Sequence, residues 1–200
     1  MESNIVYGMV SGLALLMDVY RPASPNGYGI IHISGSGWNA PLGLDARPLK
    51  ESGQVEVEGG PLVEAGYTVF TVNHRATPRF PYPAPVEDVQ RAVRFIRYHA
   101  QEYGIDPDRI GAIGSSSGGH LVSMLGLLDG RGDPEDASPI NRLSARVQCV
   151  VARAAPTNLT TAAGSPVRVL FLGFPLGGKL EPGSIEYRRA VEASPISHIT

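Results

Sequence analysis

The sequence predicts an α/β domain, a three-layer α/β/α sandwich around a mostly parallel sheet that begins with an antiparallel hairpin. Three observations lead there. Short β-branched runs alternate with segments of helical periodicity, an order that calls for right-handed crossovers and helices on both sheet faces. Two apolar runs at the start flank Ser11-Gly12, which reads as a hairpin with a tight turn. The 200 residues are 42% hydrophobic and 18% charged, enough apolar material for one core. The 24 glycines and 17 prolines lie scattered between apolar segments and mark many short loops.

Taken in order, Ile5 to Val10 and Leu13 to Tyr20 form the hairpin, and Tyr28 to Ile33 is a third strand ending in the loop 34–38. Residues 39 to 58 carry no clear period and read as irregular. Pro61 to Ala65 is a short helix stopped by Gly66, since glycine accepts the left-handed C-cap. Tyr67 to Val72 is continuously β-branched and aromatic, the mark of a strand buried on both faces. Thr77 to Pro85, with four prolines, must be extended.

Val86 to Tyr103 is the clearest helix, with Glu87 and Asp88 in its first turn, where the helix dipole favours negative charge. Val86, Val89, Val93, Ile96 and Ala100 share one face by i, i+3/i+4 spacing. Arg91, Arg94 and Arg97 fall off that face and read as solvated rather than as a phosphate patch. Beyond the turn Asp106-Pro107-Asp108 come a strand at Arg109 to Gly114, a helix at His120 to Leu128 and a strand near Val147 to Ala152. The rest, 156–200, reads as a lid or cover, or equally as a loosely ordered stretch, with an apolar run at Val167 to Phe174 and a turn at Leu176-Gly177-Gly178.

The formal charge of −2 provides no basic field for nucleic acid or anionic membrane. No apolar run approaches the roughly 18 residues a membrane span needs, and the N-terminus has no basic region of the kind a signal peptide carries. A soluble, cytoplasmic protein is expected. The lone cysteine, Cys149, fits a reducing compartment, and its apolar neighbours predict a buried, structural thiol. His32 and His74 stand isolated, so neither a metal nor a cofactor is expected.

The chemistry gathers at Gly114-Ser115-Ser116-Ser117-Gly118. A Gly-x-Ser-x-Gly run alone is weak evidence. Here it follows the short strand Ile110 to Ile113 and enters a helix through Gly119-His120-Leu121, the context of a nucleophile elbow. Glycines two before and two after Ser116 let strand and helix approach closely, and the hydroxyl then stands at a helix N-terminus.

These residues, with Gly104-Ile105-Asp106-Pro107-Asp108-Arg109-Ile110 before them and Gly119-His120-Leu121 after, resemble the esterase/lipase branch of the α/β-hydrolase superfamily, its carboxylesterase-like and feruloyl-esterase-like members. Leu16 to Pro22, Val72-Asn73-His74-Arg75 and Phe80 to Pro85 resemble that branch in the same order, over roughly residues 5 to 160. The resemblance implies an incomplete α/β-hydrolase fold and a small-molecule ester substrate. It makes Ser116 the nucleophile. Ser34-Gly35-Ser36-Gly37-Trp38 stands in place of a His-Gly-Gly-Gly-Trp-like loop, so amides of Gly35, Ser36 and Ser117 would form the oxyanion hole.

The acid and the base remain unassigned. In this fold they follow the serine, and the histidines after Ser116 are only His120 and His198. His120 lies on the elbow helix, and His198 near the terminus is expected to be exposed and frayed. Asp129, Asp133, Glu135 and Asp136 read as a polar loop, and Asn158 stands where the family often has Asp. By this resemblance the chain is truncated at its C-terminus, leaving the Val147 to Ala152 strand as an open sheet edge suited to self-association. Its activity is therefore in question. A non-catalytic pseudo-hydrolase that binds a ligand or partner, or a truncated gene product, is the alternative.

Overall fold

The computed structural model describes residues 1–161, 165–175 and 180–200. It holds one six-stranded sheet of order β1-β2-β4-β3-β5-β6, from β1 (Glu2–Val10), β2 (Leu13–Tyr20), β3 (Gly29–Ile33), β4 (Thr68–Val72), β5 (Ile110–Ser115) and β6 (Cys149–Arg153). β1, β2 and β4 pair antiparallel, whereas β3, β5 and β6 join β4 in a parallel array. The hairpin turn forms because Ser11 and Gly12 both take positive φ, 48° and 81°, which lets the turn match the strand twist.

Strand alternation sorts side chains onto two faces. Ile31, Ile33, Phe70 and Val72 point into the large core, which α3 (Ala84–Tyr98) and α5 (Ser117–Leu127) cover with Val89, Val93, Ile96, Leu121 and Met124. Ile30 and Val69 point the other way, onto a smaller cluster capped by α1 (Gln54–Glu58) and α2 (Gly60–Glu64). The result is an α/β/α sandwich, and β4 is buried at every residue.

Several expectations change in detail. Segment 39–58 is partly helical, with a 3-10 turn at Leu49–Glu51 followed by α1. What orders it is a buried ion pair: Lys50 Nζ stands 2.8 Å from Asp18 Oδ2 on β2, with both residues at most 4% exposed. Such a pair leaves no periodic trace in sequence. Segment 77–85 is not extended throughout: a bridge from Thr77 to Asn39 gives way to turns, and α3 already begins at Ala84. The long helix breaks at His99 into α3 and α4 (Ala100–Tyr103). Asp88 is buried and answers Arg75, whose backbone N–H donates to it at 2.6 Å.

Cys149 is exposed, not buried, because β6 pairs with β5 alone and four of its five residues are exposed. The arginines of α3 are not a merely solvated face. Arg91 donates to the Tyr7 carbonyl and Asn141 Oδ1, Arg94 to the carbonyls of Leu143, Gly130 and Arg131, and Arg97 to those of Pro107, Ser144 and Arg146. They fasten the long connection between α5 and β6. His198 is half-buried in a 3-10 turn, its Nε2 2.8 Å from the Glu192 carbonyl, and Ile196 N–H donates to Thr157 O, so this end is tied rather than frayed. Two further helices, α6 (Pro166–Leu172) and α7 (Ile185–Glu192), send Phe171, Leu172 and Ala190 into the main core. The turn expected at 176–178 lies outside the described residues. Among the described residues, no helix is long and apolar enough to cross a membrane.

Arg94→Ala removes three hydrogen bonds to loop carbonyls and should loosen the connection, at about 1.5–3 kcal/mol for a charged donor lost from its acceptors. Limited trypsinolysis should cut the variant at the exposed Arg131 and Arg142 about tenfold faster than the parent. Unchanged cleavage would show that the connection holds without Arg94.

Candidate active site

Ser116 sits between the end of β5 and the start of α5, exposed, with φ 53° and ψ −121°. A non-glycine residue pays roughly 1–3 kcal/mol for such a conformation, so its surroundings must impose it. They do so through crowding. A Cβ on Gly114 would come within 2.7 Å of both Ile33 O and Gly118 C, and a Cβ on Gly118 would collide with Ile33 O and lie 2.8 Å from Ile33 C. Strand β3, strand β5 and the first turn of α5 therefore touch backbone to backbone. Ser116 N–H donates to Arg153 O on β6 at 2.8 Å, fixing the turn from its other side.

The three amides proposed for the oxyanion lie around this serine, and two already have partners. Gly35 N–H donates to Gln54 Oε1 at 2.8 Å, while Gln54 Nε2 donates back to Gly35 O at 2.8 Å. Ser36 N–H donates to Ser117 Oγ, also at 2.8 Å. Gly35 must be glycine, because a Cβ there would meet Ser115 O at 2.6 Å. Ser34, in the place of the usual histidine, is buried and accepts the Ser52 hydroxyl at 3.0 Å.

Ser116 opens onto a cavity of about 600 Å³ between the Gly/Ser loop, α1 and the ends of β5 and β6. One wall is organised by Glu58. Its Oε2 lies 3.2 Å from His32 Nε2, and its Oε1 accepts from the Ser115 hydroxyl and, at 3.1 Å, from Arg153 Nη1. His32 is fully buried on the α1 face of the sheet, its Nδ1 3.1 Å from Thr71 Oγ1 on the neighbouring strand. It is thus paired rather than isolated. Burial lowers its pKa, against an opposing pull from Glu58.

Gln54, Glu58, Ser115 and Arg153 escaped the sequence analysis. Parity held a signal for three of the partners: Ile30, His32, Val69, Thr71, Ile113 and Ser115 alternate onto one face, so polar members of that set need a polar cover. Nothing comparable in sequence marked residues 54 and 58.

No histidine hydrogen-bonds the Ser116 hydroxyl among the described residues. His120 is buried and spends both ring nitrogens elsewhere: Nδ1 accepts from Trp38 Nε1 at 3.1 Å and Nε2 lies 2.7 Å from Ala193 O. With Nδ1 accepting, the ring is neutral and carries its proton on Nε2, and burial lowers its pKa to about 4. Trp38 also stacks on Phe171 at 4.3 Å. His120 therefore ties the Gly/Ser loop, the elbow helix and the C-terminal segment together. Asp136 accepts from Asn141 and Ser138 within the connection fastened by α3, and Asn158 caps its own turn through Thr160 N–H. His198 stays on Glu192 O.

Comparison with known proteins gives the family of the chain. Residues 17–199 match the family model described as BD-FAE. Over 206 aligned residues the chain is 27% identical to a probable carboxylic ester hydrolase, LipM, of Mycobacterium tuberculosis, covering all of this chain and 44% of that protein. It is 32% identical over 99 residues to the carboxylesterase NlhH of the same species, half of this chain and 28% of that one. The chain thus spans less than half the length of these relatives. Among solved structures, an acetyl ester-xyloside bifunctional hydrolase from Caldicellulosiruptor lactoaceticus superposes with a TM-score of 0.78 at 26% identity, over 99% of this chain and 70% of that one.

Two outcomes follow from the geometry. Gly118→Ala should cost more than about 3 kcal/mol, read from urea unfolding, because the new methyl meets strand backbone on which nothing flexible can yield; a loss below 1 kcal/mol would refute the crowding account. His120 is held at about 4 against an unfolded value of 6.5, so the unfolded chain binds the extra proton first. Its contribution to stability is complete above pH 6.5 and is lost as pH falls from there toward 4. Urea midpoints measured across that window should decline, and in His120→Gln the decline should be shallower; equal slopes would exclude His120.

Proposed function

The chain belongs to the BD-FAE family, and from that premise we propose that it is the nucleophile-bearing part of a carboxylic-ester hydrolase acting through Ser116. The observation that carries the reading is the strained, exposed serine at φ 53°, held where backbone crowding leaves no other route for the chain. Ester hydrolysis is the activity named for its relatives LipM and NlhH.

In this reading Ser116 Oγ attacks the acyl carbon and gives its proton to water. The acyl carbon's bond to the alkoxy oxygen then breaks to release the protonated alcohol and leave an acyl-serine that water hydrolyses. The amide of Ser117, at the start of α5, meets the developing oxyanion, joined by Ser36 and Gly35 once their present partners release them. A serine hydroxyl needs a base to reach full reactivity, and none of the described histidines touches it. Binding and oxyanion groups alone leave on the order of 10³–10⁴-fold over the reaction in water. The expected activity of this chain is accordingly weak. The engaged Gly35 and Ser36 amides favour a second reading, a non-catalytic module that binds its ligand in the same cavity.

Reaction with p-nitrophenyl acetate separates the two. Slow p-nitrophenol release is expected, with the acetyl group retained on Ser116 by intact-mass analysis and lost in Ser116→Ala. Identical release from both proteins, with no acylation, would leave the binding module. Fast turnover dependent on Ser116 would show that a base acts from elsewhere in the chain.

A further inference from the structure

We propose that Arg153 makes the Ser116 cavity selective for esters that carry a carboxylate near the scissile bond, such as half-esters of short dicarboxylic acids. The proposal rests on the ester-hydrolase reading and adds a substrate class to it.

The cavity is sparsely charged. Its lining contains two formally charged side chains, Glu58 and Arg153. Their environments differ sharply. The Glu58 side chain is 6% exposed and both its oxygens are committed, to His32, Ser115 and Arg153. The Arg153 side chain is 59% exposed and uses one Nη on Glu58, leaving Nε and Nη2 without partners among the described residues. A ligand entering the cavity therefore meets a cation and not the carboxylate that anchors it. Buried Glu58 aims the guanidinium, and an aimed guanidinium offers the forked donor pair that carboxylates accept.

Position supplies the second half. Arg153 stands opposite Ser115 in the β5–β6 register, and its own carbonyl holds Ser116 N–H at 2.8 Å. Its side chain leaves the backbone beside the nucleophile and crosses to α1. An anion bound there lies close to the acyl carbon under attack. The rest of the lining is mostly glycine and serine, with Val57 as its one sizeable aliphatic side chain, so it offers little for a long apolar chain to bury against.

The test uses binding on a Ser116→Ala background, which keeps the ligands intact. Monomethyl succinate should bind about tenfold tighter than methyl butyrate, a neutral ester of matching chain length, the size of one hydrogen-bonded charge pair at a partly open site. Chemical-shift titration measures both. The gap should close in Arg153→Gln and shrink as sodium chloride is raised. Equal affinity for the two esters, or a gap that survives Arg153→Gln, would overturn the proposal. The p-nitrophenyl acetate experiment keeps the premise separate. Acylation of Ser116 with no anion preference removes the Arg153 assignment alone, while anion preference without acylation removes the esterase and leaves an anion-binding cavity.

Discussion

Everything at the site follows from the space missing between the Ile33 carbonyl and Gly118. With no Cβ at positions 114 and 118, β3, β5 and α5 close to backbone contact. The residue caught between strand and helix must then turn through positive φ. That turn exposes Ser116 at the lining of the cavity, directly before the first residue of α5. Several kcal/mol of packing in the surrounding core, where Ile33, Leu121 and Met124 are fully buried, outweigh the local strain. The conformation is thus maintained by the packing of the whole sheet together with the bond from Ser116 N–H to Arg153 O.

Around this fixed point the molecule adds parts of different rigidity. The Gly/Ser loop is locked at Trp38, whose indole meets His120 and Phe171. Its amides are instead held by side chains, Gln54 and Ser117. One is a short polar chain on a five-residue helix, the other a hydroxyl at the helix start. The backbone of the loop is rigid, then, while the bonds that occupy its donors are exchangeable. A ligand oxygen competes with neutral side-chain acceptors there, each worth about 1 kcal/mol net.

Much of this was legible in the sequence, and the reasons differ by element. The hairpin, the buried strand β4 and the apolar face of α3 announce themselves through period and turn chemistry. Ser116 is legible because flanking glycines report a steric demand, which is a local property. Glu58 and Gln54 were not legible, since they lie on a helix of five residues ordered by the Asp18–Lys50 pair across 32 positions. The exposure of Cys149 and the fastening role of Arg91, Arg94 and Arg97 depend on what does or does not pack alongside, and composition reads the first as core and the second as solvent. Arg153 follows immediately after the strand expected at Val147 to Ala152, where a boundary error of one residue hides a functional side chain.

The Asp18–Lys50 pair carries a consequence for how this cavity can change. It anchors the stretch leading to α1 to β2, and the side chains beyond it form one wall of the cavity. Beyond that pair, Val55 packs on Ile30 and Val69 and Glu58 holds His32, Ser115 and Arg153, which leaves the exposed Glu56 and Val57 as the residues that can be rewritten. The wall can then vary at Val57 while Ser116 stays put. A change in what the cavity admits has one place to happen at small cost to folding.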